Sequence, residues 1–205
     1  MKRNYESNGE LTDKAEQILK GAMPEFLTHG YASTSMDRVA KAAGVSKQTL
    51  YSHFTDKDGL FTALVKQIAS EKFRIVWAPP LEGEPEGVLR DLARRLLMEN
   101  IDDREYLCFL RLIVAESRTR PDLAEVFLTN LVKPAIEILT HYLENCRDLA
   151  IADPEATARV FVGALIHYMV VQEILQGKTS MPMEADRLID SLVELIVSQK
   201  VRKPG

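Results

Sequence analysis

The sequence predicts an all-α chain of about nine helices. It places an N-terminal three-helix domain of the helix-turn-helix kind ahead of a larger C-terminal helical domain. Three observations carry this. Apolar residues recur at three- and four-residue steps along most of the chain, and no run alternates at period two. Two very short helical segments meet at Gly44. Finally, Pro121, Pro154 and Pro182 each stand at or near a first helical turn, where a missing N–H is harmless.

The first helix covers about 12–29, with Ala15, Ile18, Leu19, Ala22 and Phe26 as its apolar stripe. Pro24 lies inside it and predicts a kink. Thr34 or Ser35 caps the second helix, since a hydroxyl accepts a bond from an otherwise unpaired N–H. Asp37 then suits the positive end of the helix dipole. Met36, Val39, Ala40 and Ala43 form the buried stripe, and Gly44 ends the helix in a left-handed conformation. Ser46 caps the third helix, in which Leu50 and Phe54 face inward. The fourth starts near 56–58 and runs to about Trp77, where Pro79 and Pro80 stop it. Five more helices follow, at about 85–100, 103–118, 121–146, 154–176 and 183–200. Pro134 predicts a bend within the seventh, and Gly177 a stop after the eighth.

The inward positions of the third helix leave Lys47, Gln48, Thr49, Tyr51 and His53 outward. Such a face suits duplex DNA: short polar groups reach base edges, while Lys, Tyr and His reach phosphate oxygens. Net charge is −4 over 205 residues, which at first opposes this reading. The charge is divided, however. Residues 1–66 carry nine Lys/Arg against eight Asp/Glu, and the remainder seventeen against twenty-two. The acidity therefore sits away from the proposed DNA surface.

Residues 12–66 resemble the N-terminal domain of TetR-family transcriptional regulators. The matching residues are Phe26-Leu27-Thr28-His29-Gly30-Tyr31, Thr34-Ser35-Met36-Asp37-Arg38-Val39-Ala40, the run from Ala43 to Phe54, and Lys57-Asp58-Gly59-Leu60-Phe61. The resemblance implies base-edge contacts by Lys47, Gln48 and Thr49, and phosphate contacts by Ser35, Tyr51, His53 and Lys57. Further on, Arg111 to Arg118, followed by Pro121-Asp122-Leu123-Ala124 and Phe127, resembles the regulatory domain of the AefR-like subgroup. The implied organisation is a flexible arm over 1–11, a DNA-binding domain over 12–56, and a ligand-binding and dimerisation domain over 57–205.

The resemblance also implies a cavity for a small apolar or amphipathic effector, enclosed by helices four to eight. Bulky residues stand at suitable places: Trp77 on the fourth helix, Tyr106 and Phe109 on the sixth, Phe127 and Tyr142 on the seventh. Phe161, Tyr168, Met169 and Gln172 do so on the eighth. Ordinary core packing explains each one singly. The eighth helix is apolar on more than one side, so one side packs the body and another meets a second subunit. Gly163 and Ala164 permit close approach, and His167 lies beside them. The ninth helix adds Leu188, Leu192 and Ile196, giving a four-helix homodimer interface. Two heads then read a palindromic operator.

Cys108 and Cys146 lie in apolar helical contexts and read as buried thiols of a reducing compartment. No run approaches the ~20 apolar residues that span a bilayer, and the polar N-terminus is not a signal peptide. The expected location is the cytoplasm, with no membrane partner. Two other classes compete. One is a ligand-independent DNA-binding protein whose body contacts a protein partner. The other is an enzyme, which the sequence does not favour. His29, His53, His141 and His167 are scattered, no nucleophile–base or metal-ligand spacing is readable, and no cofactor is expected.

Overall fold

The computed structural model describes residues 13–147 and 149–198. The expected arm over 1–11 lies outside the described residues. Among those described, nine helical rods carry the fold. They are α1 (Asp13–Ser33), α2 (Met36–Ala42), α3 (Lys47–His53), α4 (Lys57–Val76), α5 (Pro85–Ile101), α6 (Arg104–Glu116), α7 over 121–145, α8 over 154–174, and α9 (Ala185–Val197). Packing divides the chain into two units, with the boundary between Val65 and Lys66, inside α4. This is later than the 56/57 boundary drawn from the sequence. The reason is visible at Phe61, which meets the Phe26 ring edge-on at 4.7 Å and the Tyr31 ring at 5.2 Å. The start of α4 is thus part of the N-terminal core.

In that unit the α1 stripe Ala15, Ile18, Leu19, Ala22 and Phe26 is buried as expected. The interruption of α1 is not at Pro24 but at Gly30 (φ 72°, ψ 171°), beyond the reach of most L-residues. Thr34, itself buried, spans that break by donating to the carbonyls of Gly30 (2.7 Å) and Glu25 (3.0 Å). Gly21 has a different task. A Cβ there would stand 2.6 Å from the Ala43 backbone, so glycine lets α1 touch the turn after α2. Gln17 fastens the same contact by donating to the Ala43 carbonyl at 2.7 Å. Gly21→Ala is therefore expected to cost about 1–3 kcal/mol through overpacking against backbone that has nowhere to move. A thermal melt of the variant checks this, and an unchanged midpoint would contradict it.

The C-terminal unit is built on α5, which packs against α9, α8 and α6, while α7 lies along α8. Arg94 and Arg90 of α5 pair with Asp186 and Asp190 of α9, the first at 3.1 Å. The bend expected at Pro134 is taken up one turn earlier. α7 runs as α-helix over Pro121–Phe127, widens into a π segment over Leu128–Val132, and resumes at Lys133–Asn145. Pro134 cannot donate an N–H, and the wider turn places it at the start of the resumed helix, where none is needed. α8 also ends in a π segment, Val170–Ile174. The left-handed residue after it is Gln176 (φ 56°), not Gly177. Gly177 instead supplies space, since a Cβ there would stand 2.6 Å from the Val171 carbonyl.

The buried interior corrects several sequence expectations. Leu192 and Ile196 are buried within their own chain, against α5 and its neighbours, and are not available to a second subunit. The apolar residue that α9 leaves outside is Leu195 (68% exposed). On α8, Val160 (63%) and Ile166 (41%) are exposed together with Gly163 and His167, while Ala164 is half-buried. Leu188 is half-buried too.

The aromatic set is packed, and of the four clefts described among these residues none is enclosed by it. Phe109 and Phe161 are fully buried, and Trp77, Tyr106, Tyr168 and Met169 nearly so. Phe109 packs on Tyr106 at 6.5 Å and edge-on to Phe127 at 6.1 Å. These rings fill the interior with one another, as close packing favours. Of the nine residues expected around a ligand, Tyr142 and Gln172 line surface clefts, of ≈ 430 and ≈ 480 Å³. Cys108 and Cys146 are half-buried rather than enclosed.

Candidate nucleic-acid interface

The helix-turn-helix is held by caps at both of its helices. The Ser35 hydroxyl accepts from the Arg38 amide at 3.3 Å, and the Ser46 hydroxyl accepts from the Thr49 amide at 3.0 Å. Gly44 takes φ 64°, and the Val45 amide then returns to the Ala40 carbonyl at 3.0 Å, closing the turn. With Leu50 fully buried and Phe54 beside it, the opposite side of α3 is fixed outward. Lys47, Gln48 and Tyr51 are exposed, while Thr49 and His53 are half-buried. Thr49 also shares a hydrogen bond with Ser46 through their hydroxyls at 2.8 Å.

Two cations of this face have partners that the sequence did not reveal. The Lys47 ammonium donates to Asp37 at 2.6 Å, so the start of α3 is tied to the start of α2. The signal was present in opposite charges on the first turns of adjoining helices. Lys57 is more constrained. Its ammonium donates to the carbonyls of Tyr31 (2.9 Å), Ala32 (3.0 Å) and Thr34 (3.2 Å), and lies 4.6 Å from the Tyr31 ring centre. An ammonium has three donors, and all three are used here. The expectation of a phosphate contact by Lys57 therefore conflicts with this geometry. Lys57 holds carbonyls at the end of α1, and Tyr31 returns a hydroxyl bond to the neighbouring Asp58. Arg38 is likewise engaged, donating to the Ser33 carbonyl and lying 3.4 Å from Glu25.

An α3 capped, braced from behind and polar in front can do one thing chemically: present amide, hydroxyl and cationic donors to a complementary edge. Among the described residues no cluster of three or more His, Cys, Asp or Glu could hold a metal, and no helix is long and apolar enough to cross a membrane.

Comparison with known proteins follows the same division. The family model described as bacterial regulatory proteins, tetR family, matches residues 18–64. A second model, the C-terminal domain of AefR-like transcriptional repressors, matches residues 87–199, more than half of the chain. The chain belongs to the TetR family. Its TetR-family relatives are transcriptional regulators rather than enzymes. The repressor AcnR of Corynebacterium diphtheriae is 36% identical over 70 residues, which are 34% of this chain and 37% of that one. The regulator AcrR of Shigella flexneri is 26% identical over 141 residues, 67% of this chain and 66% of that one. The chain thus spans less than two thirds of the length of these curated relatives. Solved structures match more fully. A TetR-family regulator from Mesorhizobium loti is 30% identical, with 90% of this chain and 95% of that one covered and a TM-score of 0.75. The flavonoid-responsive regulator FrrA is 29% identical, with 93% and 98% covered and a TM-score of 0.77.

Proposed function

We propose that this chain is a homodimeric transcriptional repressor of the cytoplasm that binds a pseudo-palindromic operator and is released by a small apolar or amphipathic effector. The observation that carries the DNA-binding part is the outward polar face of a capped α3 within a matched TetR-family head. Lys47, Gln48 and Thr49 are proposed to meet base edges, with Lys47 exchanging Asp37 for DNA. Ser35, Tyr51 and His53 are proposed to meet phosphates. Lys57 is reassigned to holding the end of α1. The proposed dimer surface is the exposed side of α8, around Val160, Gly163, Ile166 and His167, with Leu195 of α9.

Ligand responsiveness is supported by two similar structures: FrrA is named as flavonoid-responsive, and the multidrug-binding protein EbrR, 26% identical, is complexed with malachite green. One observation favours the alternative, a ligand-independent DNA-binding protein whose body contacts a protein partner. It is the aromatic interior, packed where a cavity was expected. A fluorescence screen on Trp77, the only tryptophan, separates the two. A compound that shifts its emission and lowers operator affinity supports the first reading. A screen without such a compound, alongside intact operator binding, supports the second.

The contact assignments are tested by comparing variants on operator and on random duplex. Tyr51→Phe should weaken binding to both, because it removes a phosphate contact. Gln48→Ala should relax preference at one base pair per half-site, at about 1–3 kcal/mol if the contact is bidentate. A uniform effect of Gln48→Ala on all sequences would move it to the backbone-contacting set.

A further inference from the structure

The only permanent cation on α3 is Lys47, and the fold gives it an acidic neighbour from another helix. The Lys47 ammonium donates to the Asp37 carboxylate of α2 at 2.6 Å. Both side chains remain more than half exposed, at 64% and 59%, and an ion pair so exposed adds little to stability. The backbone that carries it is held from behind. The Val45 amide bonds the Ala40 carbonyl at 3.0 Å, Gln17 donates to the Ala43 carbonyl at 2.7 Å, and Ser46 caps α3. A donor and an acceptor thus stand side by side on the outward face, in a register that the turn fixes.

The other cations around this face are engaged differently. Arg38 donates to the Ser33 carbonyl, and Lys57 gives its ammonium to carbonyls at the end of α1. Lys47 is tied to a side chain instead, which uses one of an ammonium's three donors. In the major groove a carboxylate meets few donors. Phosphates repel it, and so do the guanine O6 and N7, adenine N7 and thymine O4 acceptors, while hydrogens come from cytosine N4 and adenine N6. A G·C pair sets the guanine acceptors, which suit a lysine, directly beside the cytosine amino group, which suits an aspartate. Reversing that pair brings acceptors to the carboxylate and hydrogens to the ammonium.

Given the DNA-binding reading above, on which this rests, we propose that Asp37 is a specificity-determining residue. The Asp37–Lys47 pair reads one oriented G·C pair in each half-site, with Lys47 on guanine and Asp37 on cytosine. At that base pair each partner exchanges the other for a base. Elsewhere the exchange leaves the carboxylate facing acceptors, so the pair stays closed and Lys47 is withheld from phosphates. Asp37 thereby raises the ratio of operator binding to random binding, and lowers the affinity for random duplex.

The test begins with the full-length wild type and Asp37→Ala, each used to select from a random duplex library. Binding to the selected consensus is then compared with single base-pair replacements. Reversing the G·C pair should cost wild type at least about tenfold, and Asp37→Ala less than about threefold. On random duplex Asp37→Ala should bind more tightly than wild type. Its log–log salt slope should steepen by about one, because the freed Lys47 takes a phosphate. In a Lys47→Met background, Asp37→Ala should produce neither change. Asp37→Asn keeps the size of the side chain but frees Lys47, so it should show the steeper slope even where alanine perturbs α2. A residue that only stabilised α2 would move the melting temperature and leave the slope unchanged. An undiminished preference for the oriented G·C pair in Asp37→Ala, or equal tightening on random duplex with and without Lys47, would overturn the proposal. A wild type that selects no motif would overturn the DNA-binding reading beneath it as well, so the two failures are separately visible.

Discussion

Phe109→Ala is expected to destabilise the C-terminal unit by about 3–5 kcal/mol. The ring is fully buried and packs against both Tyr106 and Phe127. Its removal therefore costs the transfer of a large apolar group and leaves a void that helices on both sides hold open. Against a total stability of about 5–15 kcal/mol, such a loss is large. Urea unfolding followed by far-UV circular dichroism measures it. A cost below about 1 kcal/mol would show that the interior is loosely filled, and would return the enclosed cavity of the sequence reading to consideration.

The second large effect comes from comparing Leu192→Glu with Ile166→Glu. Leu192 was expected at a dimer interface, and Ile166 adjoins His167, which was expected there too; their surroundings differ. Leu192 is buried in its own chain, so a carboxylate there has no partner and no water. It should unfold the unit outright, since an unpaired buried charge costs several kcal/mol. Ile166 is exposed, so Ile166→Glu should leave the protomer folded and separate the dimer. A two-fold interface contains each substitution twice. A cost of about 1.4 kcal/mol per copy then raises the dissociation constant roughly a hundredfold. Sedimentation velocity with circular dichroism on both variants reads the two outcomes. A folded Leu192→Glu monomer would contradict the burial assignment, and an Ile166→Glu dimer as tight as wild type would contradict the proposed surface.

The head was legible because its determinants are local. Ser35, Gly44, Ser46 and Leu50 each act within a few residues, and the structure gives each its expected task. The Lys57 assignment failed for the opposite reason. Its partners are the carbonyls of Tyr31, Ala32 and Thr34, more than twenty residues away, and backbone carbonyls leave no trace in side-chain pattern. In the body, the period of the apolar stripes gave the helices but not their facing. Leu192 was expected at an interface, yet the packing of α9 on α5 buries it and leaves Leu195 outside. The aromatic set shows the same limit. Residues such as Phe109 and Phe161 mark the interior, but whether an interior is filled or hollow depends on summed volumes across several helices.

Whether the face of α3 reads DNA in two symmetric copies is decided by footprinting the purified protein on the region upstream of its own gene. Protection is expected over a pseudo-palindrome whose half-sites are one helical turn apart, ~34–36 Å. It should weaken as salt rises, because phosphate contacts release counterions. Protection that is absent at moderate salt, or that covers a single half-site without symmetry, would contradict such a reading.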